Sequence, residues 1–458
     1  MLKLSKITFA LAASVTVVGC ANIDDSYKAS QLEYQQYEEL TKQYNIQENW
    51  WTLYGDAQLN RLVEQALTNN KNLAKAAIAV NSALYQANLV GANLVPAFSG
   101  STSSSASKNI KDGGNSTISH KGALEVGYTV DLWRRLADAT SAAEWTHAAT
   151  EQDLEAARVS LINSVIITYY NLAYLNDAIA VTNQTIDYYS QINRIMQNKL
   201  NHGVADSAST DQAQQAVLTA RNTLLTYQTQ KKTAESTLRN LLNLKPNEVL
   251  NVNYPHILSV KNVGVNLNVP LSTIANRPDV KGYQYRLNSA FKNAKAVQKS
   301  WFPEVTLGGS LSSSGTKVSN ALNTPIGAGV LGISLPFLSW NTVKWNVKIS
   351  EAAYETALVN FEQSITSALN DVDKNYFAYT QARQSLSNLQ QTHAYNTKIT
   401  QYYKNRYDAG ISELREWLNA ANTEKSSQLS ILNAKYNVIQ TENAVYSSMG
   451  GYYSTKTK

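Results

Sequence analysis

The chain has 458 residues, 43% hydrophobic and only 16% charged, and its 40 basic and 34 acidic side chains give a formal charge of +6. So small an excess, spread without a basic cluster, excludes a nucleic-acid footprint. Five scattered histidines, no glycine-rich phosphate loop and no metal-ligand spacing leave an enzyme without a convergent polar constellation.

In chain order, the first feature is a secretory signal over residues 1–19. Lys3 and Lys6 precede an apolar run from Ile7 to Val18, too short for a membrane-spanning helix of about 20 residues. Its loss leaves 38 basic against 34 acidic residues, or +4. Cys20 is the only cysteine, so it forms no intramolecular disulfide. Val17-Val18-Gly19-Cys20 resembles the bacterial lipoprotein box, in which the cysteine is lipidated and becomes the first residue. Val17 stands where Leu is more usual, and Val18 where Ala or Ser is. The alternative is a chance cysteine beside an ordinary cleavage site. Acyl chains would give residues 20–57 a membrane affinity that a soluble segment lacks, and the non-acidic Ala21 implies passage to the outer membrane. No cofactor is expected beyond this covalent lipid.

Beyond this segment the chain repeats itself. A shift of 207 residues aligns Ala83 with Ala290, Pro96 with Pro303, Glu144 with Glu351, Tyr169 with Tyr376 and Gly203 with Gly410. One frame from end to end makes two copies of one unit, 58–250 and 271–451, joined by a linker at 251–270 and followed by a short tail at 452–458. Each copy opens with a helical stretch, Leu59 to Leu94 or Leu271 to Ser300. Each stretch ends at Val95-Pro96 or Phe302-Pro303, where proline disfavours helix in the preceding residue.

Two strand-like segments follow in each copy, at 97–108 and 120–132 and again at 303–314 and 327–338. Then come two long helical segments around a glycine. Leu154, Leu161, Val165 and Leu172 recur at helical spacing, and Asp138 to Leu200 would run roughly 90 Å at about 1.5 Å per residue. Gly203 and Gly410 stand where one helix ends and the next begins, and a left-handed glycine closes a helix in that way. The pattern predicts two long helical hairpins, and two ordinary coiled-coil arms satisfy it equally.

The strands separate those readings. Leu124, Val126, Tyr128 and Val130 alternate with Glu125, Gly127, Thr129 and Asp131. In the third segment Val305, Leu307 and Leu311 alternate with Thr306, Ser310 and Ser312, and in the fourth Leu331, Ile333, Leu335 and Phe337 share one face. Such alternation suits a membrane barrel, or a half-buried sheet in a soluble protein. The lipoprotein box, the duplication and the hairpins favour the barrel. Small membrane barrels need about eight strands, and an open edge in lipid leaves backbone groups unpaired. Four strands therefore require several chains to pool them. The first segment, nearly all Ser, Thr, Gly and Ala, offers lipid little.

Trp50-Trp51-Thr52-Leu53-Tyr54-Gly55-Asp56, Val130-Asp131-Leu132-Trp133, Asn276-Arg277-Pro278-Asp279-Val280, Phe302-Pro303, Leu335-Pro336-Phe337 and Arg406-Tyr407-Asp408-Ala409-Gly410 occur in order along the chain. Together with the duplication they resemble the TolC-type outer-membrane efflux proteins, specifically the lipidated subgroup of resistance-nodulation-division systems. The resemblance covers nearly all of the mature chain. It implies a mainly α fold with a membrane β-barrel portion: a homotrimer with twelve pooled strands and a periplasmic α-barrel of long hairpins. It further implies a periplasmic adaptor and an inner-membrane pump as partners, no catalysis, and a passive exit duct. It places a periplasmic gate of acidic residues just after the last turn glycine, which falls here on Glu416 and Asn419. Glu416 retains the carboxylate and Asn419 replaces the second acid; Asp408, Glu413 and Arg415 lie near enough to be alternatives.

Two rival functions remain. One is a lipid-anchored periplasmic coiled-coil protein, structural or adaptor-like, which needs no apolar strand face. The other is the exit duct of a protein-secretion system. With only Met196 and Met449 left after Met1 is lost, a thioether relay for soft cuprous or silver ions has little to work with.

Overall fold

The computed structural model describes residues 24, 25, 27, 28, 46, 47, 49–111, 113, 115–265, 271–321, 323–451, 453 and 454. The signal segment and Cys20 lie outside the described residues. Helices α1 (Ala57–Asn69) and α2 (Lys71–Gly91) open the first repeat; α3 (Arg135–Asn201) and α4 (Ser207–Leu242) complete it. The second repeat contains α5 (Pro278–Gln298), α6 (Trp340–Asp408) and α7 (Leu414–Ser448). Among the described residues, no helix is long and apolar enough to cross a membrane.

Two compact units form, and they are not the two sequence repeats. One gathers 86–145 with 286–359, and the other gathers 40–85, 146–285 and 360–458. Each repeat therefore supplies part of both.

The first unit holds an antiparallel sheet of β2 (Ala97–Ser107), β3 (Thr117–Val130), β4 (Glu304–Gly315) and β5 (Ile326–Ser334), in that spatial order. Its fourth strand is shorter than the predicted 327–338. Pro336 begins a 3-10 turn over Pro336–Ser339, and proline donates no ladder hydrogen bond. Leu335 and Phe337 therefore stand beyond the strand face assigned to them.

The second unit is helical, and its core gathers Trp50, Leu59, Ile162, Ile166, Tyr169, Leu238 and Val438. A short antiparallel strand pair joins β1 (Ile46–Gln47) to β6 (Tyr453–Ser454). The single helix expected from Leu59 to Leu94 is two helices. Asn70 interrupts it at extended backbone, and its Oδ1 accepts from the amides of Asn72 and Leu73 at 3.0 and 3.1 Å, an N-cap that starts α2 afresh. The stretch from Leu271 is a 3-10 turn as far as Asn276, and Pro278 supplies the first position of α5.

The repeat shift of 207 survives at the level of single hydrogen bonds. Asn70 Nδ2 donates to the Leu241 carbonyl at 2.9 Å, and Arg277, its counterpart, donates to the Ser448 carbonyl at 2.9 Å. The amides of Leu244 and Gly451 each close a helix end on the carbonyls of Arg239 and Tyr446, both at 2.8 Å. Two acids break the symmetry. Glu442, fully buried, accepts from the Gly264 amide at 2.7 Å and from Tyr379 at 3.3 Å, and burial holds its carboxyl above the usual range. Asp56 caps α1 through the Gln58 and Leu59 amides and accepts from the Tyr169 hydroxyl at 2.9 Å.

Candidate functional site

Two places carry the geometry that a membrane duct needs, the sheet in one unit and the hairpin tips in the other.

The register of the sheet sorts its side chains onto two faces. Phe98, Val126, Leu124, Leu311, Tyr128, Leu307, Leu331, Val130, Val305 and Ile333 are cross-strand or same-face neighbours on one of them. The opposite face carries Ser99, Glu125, Ser310, Ser101, Ala123, Ser312, Thr129 and Thr306. The apolar face is not packed inside this unit: Phe98 is 82% exposed, Leu331 65% and Leu124 63%. In water, so much contiguous apolar surface costs free energy. The strand β5 departs from the pattern, with Ile326 and Val330 exposed on the otherwise polar face. Only Phe98 gives β2 a large apolar side chain, as its composition foretells. β2 and β5 each have one ladder partner, so one edge of each strand is open.

Aromatic side chains gather where the strands meet the helices. Trp133 stacks on Phe302 with ring centroids 4.8 Å apart, and its indole donates to the Pro303 carbonyl at 2.9 Å. Arg135 and Glu304 pair at 2.8 Å at the same end. Trp301, Phe337 and Trp340 are exposed nearby in sequence, just outside β4 and β5. Sequence reasoning used Trp133, Phe302 and Phe337 as family markers and did not single out Trp301 or Trp340. The signal was available: each aromatic lies within six residues of a strand end, where membrane barrels set their interfacial girdles.

In the helical unit, the α3–α4 and α6–α7 turns have one design. Gly203 and Gly410 adopt φ of +70° and +71°, and the amides of Val204 and Ile411 reach back to Lys199 and Arg406 at 2.8 and 2.9 Å. A Cβ at either glycine would meet nothing within 4 Å, so the backbone angle and not space selects glycine there. Val204 and Ile411 then project outward, 74% and 64% exposed. Asp206 caps α4 through the Ser209 amide at 2.8 Å, and hydrogen bonds from the Ser209 hydroxyl and amide lower its carboxyl pKa. Glu413, at the corresponding cap of α7, makes no such bond.

Below the turns, Tyr189, Ile192, Met196, Ala213, Val217, Leu414, Trp417 and Leu418 form one apolar cluster from both hairpins. Polar ties cross it: Lys199 Nζ donates to the Tyr407 hydroxyl at 2.8 Å, and the Tyr189 hydroxyl donates to Asn422 Oδ1 at 2.5 Å. The buried positions 414, 417, 418 and 421 leave Glu416 and Asn419 on the exposed face, one turn apart. Glu416 lies in the first turn of α7, because the helix starts only at Leu414. The alternatives are partly neutralised: Asp408 pairs with Lys404 at 2.7 Å and Glu413 sits 3.6 Å from Arg415. No ion-pair partner of Glu416 occurs among the described residues.

The outer membrane efflux protein model matches the chain twice, over residues 62–244 and 269–451. The chain belongs to that family. The two matches are offset by 207 residues, the period of the internal duplication. A relative described as toxin and drug export protein A, from Aggregatibacter actinomycetemcomitans, is 70% identical over 456 residues and spans 100% of both chains. Cation efflux system protein CusC of Escherichia coli K12 is 25% identical over 409 residues, 88% of each chain. The CmeC outer membrane channel of Campylobacter jejuni shares the fold at 24% identity, with a TM-score of 0.80 over 89% of this chain and 88% of that one. The efflux protein thus has the mainly α fold with a membrane β-barrel portion expected of its family, and acts in outer-membrane efflux.

Proposed function

We propose that this efflux protein is the passive outer-membrane exit duct of a tripartite export system. Three copies pool their strands into a twelve-stranded barrel, and the hairpins continue the duct into the periplasm. The observation that carries this reading is the four-stranded sheet, with its apolar face uncovered and an open edge on β2 and on β5. Lipid satisfies such a face, but no open edge survives in lipid. Pairing β5 of one copy with β2 of the next removes every edge at once. The aromatic collar then lies at the headgroup level, and Cys20 adds an acyl anchor. Mass measurement in detergent should give a trimer; a stable monomer sinks the duct.

The sequence carries no glycine-rich phosphate loop, and an inner-membrane pump supplies the energy through a periplasmic adaptor. The exposed Val204 and Ile411 at the two hairpin tips offer that adaptor paired apolar contacts. A cargo class is suggested by a relative at 70% identity, whose description names both toxin and drug export. Both cargo classes therefore suit this duct, with the pump doing the selecting. Cells lacking the gene should retain drug and become sensitive to it, and wild-type protein, but not Cys20→Ser, should take up labelled fatty acid.

A further inference from the structure

The polar face of the sheet is lined mainly by hydroxyls, glycines and alanines, with Ile326 and Val330 as apolar exceptions on β5 and three ionisable residues. Glu304, at the helix end, pairs with Arg135. The other two, Glu125 and Lys121, are exposed and have no ion-pair partner among the described residues. Their cross-strand neighbours are all serines: Ser99 and Ser310 flank Glu125, and Ser103 and Ser314 flank Lys121. Four residues along one strand separate the two charges by roughly 13 Å. Lys121 lies toward the turns that join the strands, and Glu125 toward the helices.

We infer that Glu125 and Lys121 form two successive rings of opposite charge inside the barrel, which discriminate against charged solutes of either sign. The inference rests on the trimeric duct proposed above, since threefold symmetry turns each side chain into a ring. At about 0.1 M salt the screening length is about 10 Å, shorter than the gap between the rings, so a solute meets them one after the other. A cation entering from outside meets the ammonium ring first and is repelled. An anion passes that ring and is repelled by the carboxylates. Neutral and zwitterionic molecules cross without either penalty, and a molecule driven from within by a pump pays a cost that falls on leak in both directions. The charges stand on a fully paired strand beside serines, whose neutral hydroxyls leave them uncompensated.

Local potential is read without any contribution from the periplasmic mouth by placing a thiol beside each ring. In a Cys20→Ser background, Ser310→Cys sits next to Glu125 and Ser314→Cys next to Lys121. Methanethiosulfonate reagents of matched size, one carrying trimethylammonium and one sulfonate, are applied to the reconstituted protein. A unit charge about 5 Å away across the strands, in water with that screening, changes each rate about 2.3-fold in opposite senses. Glu125→Gln should therefore lower the cationic-to-anionic rate ratio at position 310 about fivefold, and Lys121→Gln should raise it about fivefold at 314. Both shifts should fall below about twofold near 1 M salt, where screening acts over about 3 Å. Cysteines unreactive toward both reagents overturn the lumen assignment. A trimer with unmoved ratios overturns the rings alone, whereas a monomer by mass overturns the duct on which they rest.

Discussion

The sheet and the helical body solve opposite problems. Within one chain the helical body is self-sufficient. Its aromatic core is buried, its helix ends are capped twice over by the repeat, and even Glu442 and Lys435 find backbone partners: the Gly264 amide donates to Glu442, and Lys435 Nζ donates to the Val260 carbonyl at 2.7 Å. The sheet has neither a covered face nor closed edges. The difference teaches where assembly must enter first: the core of the helical body closes within one chain, whereas the sheet leaves a face and two edges for partners and lipid to close. Each prediction below attacks that contrast from one side.

The largest effect should come from the sheet. Leu331→Arg places a guanidinium on the apolar face at a position 65% exposed in one chain. At mid-membrane this costs about 2–4 kcal/mol per copy, and a trimer carries it three times. The variant should fail to accumulate as a trimer in the outer membrane, and the arginine should be tolerated only if the face meets water.

In the helical body the comparable damage stays within one chain. Trp50→Ala empties a site that is 1% exposed and removes the indole that donates to Asn443 Oδ1 at 2.7 Å. A loss of about 3–5 kcal/mol is expected for so large a truncation, seen as an earlier unfolding transition of the helical signal. Gly451, whose added Cβ would lie 2.5 Å from the Trp50 ring, shows how closely this site is filled.

The sequence revealed these two regions unequally. Period-two alternation marked β3 and β4 because their outward and inward residues differ so sharply, and the 207-residue shift carried the reading of one repeat into the other. The break at Asn70 was invisible to periodicity, since the apolar stripe of α1 leads on to that of α2; only the capping role of an asparagine side chain gives it away. The end of β5 was misread because Leu335 and Phe337 keep the strand's alternation past the point where Pro336 stops the ladder. Nor could the sequence foresee that the repeats interleave, because that depends on which long helices pack together.

A subtler effect should follow from burial in the helical body. The Glu442 carboxyl titrates above its usual range when folded because burial disfavours its charge. A raised acid holds its proton more tightly in the folded state. Its contribution is therefore full below the unfolded pKa and is lost as pH rises toward the folded one. Glu442→Gln, which keeps an acceptor for the Gly264 amide, should flatten that part of the stability profile. Thermal melts across mildly acidic to neutral pH would show it, and parallel profiles for the two proteins would assign the slope elsewhere.

The smallest expected effect lies at the hairpin tips and leaves folding untouched. Glu416 is exposed in the first turn of α7, with Trp417 and Leu418 anchoring the opposite face. In a symmetric trimer any side chain that faces the axis occurs three times, and three carboxylates around a narrow mouth attract cations and repel anions. The helix N-terminus works against them in part, since its dipole already stabilises a nearby acid. Glu416→Gln removes the charge with little change in size, so planar-bilayer recordings should show weaker cation preference at unaltered protein stability. The difference should shrink as salt is added, because the screening length falls from about 30 Å at 0.01 M to about 3 Å at 1 M. Selectivity that survives the substitution at low salt would turn Glu416 away from the axis. Suspicion would then pass to Asp408 and Glu413, whose charges Lys404 and Arg415 only partly cancel at 2.7 and 3.6 Å.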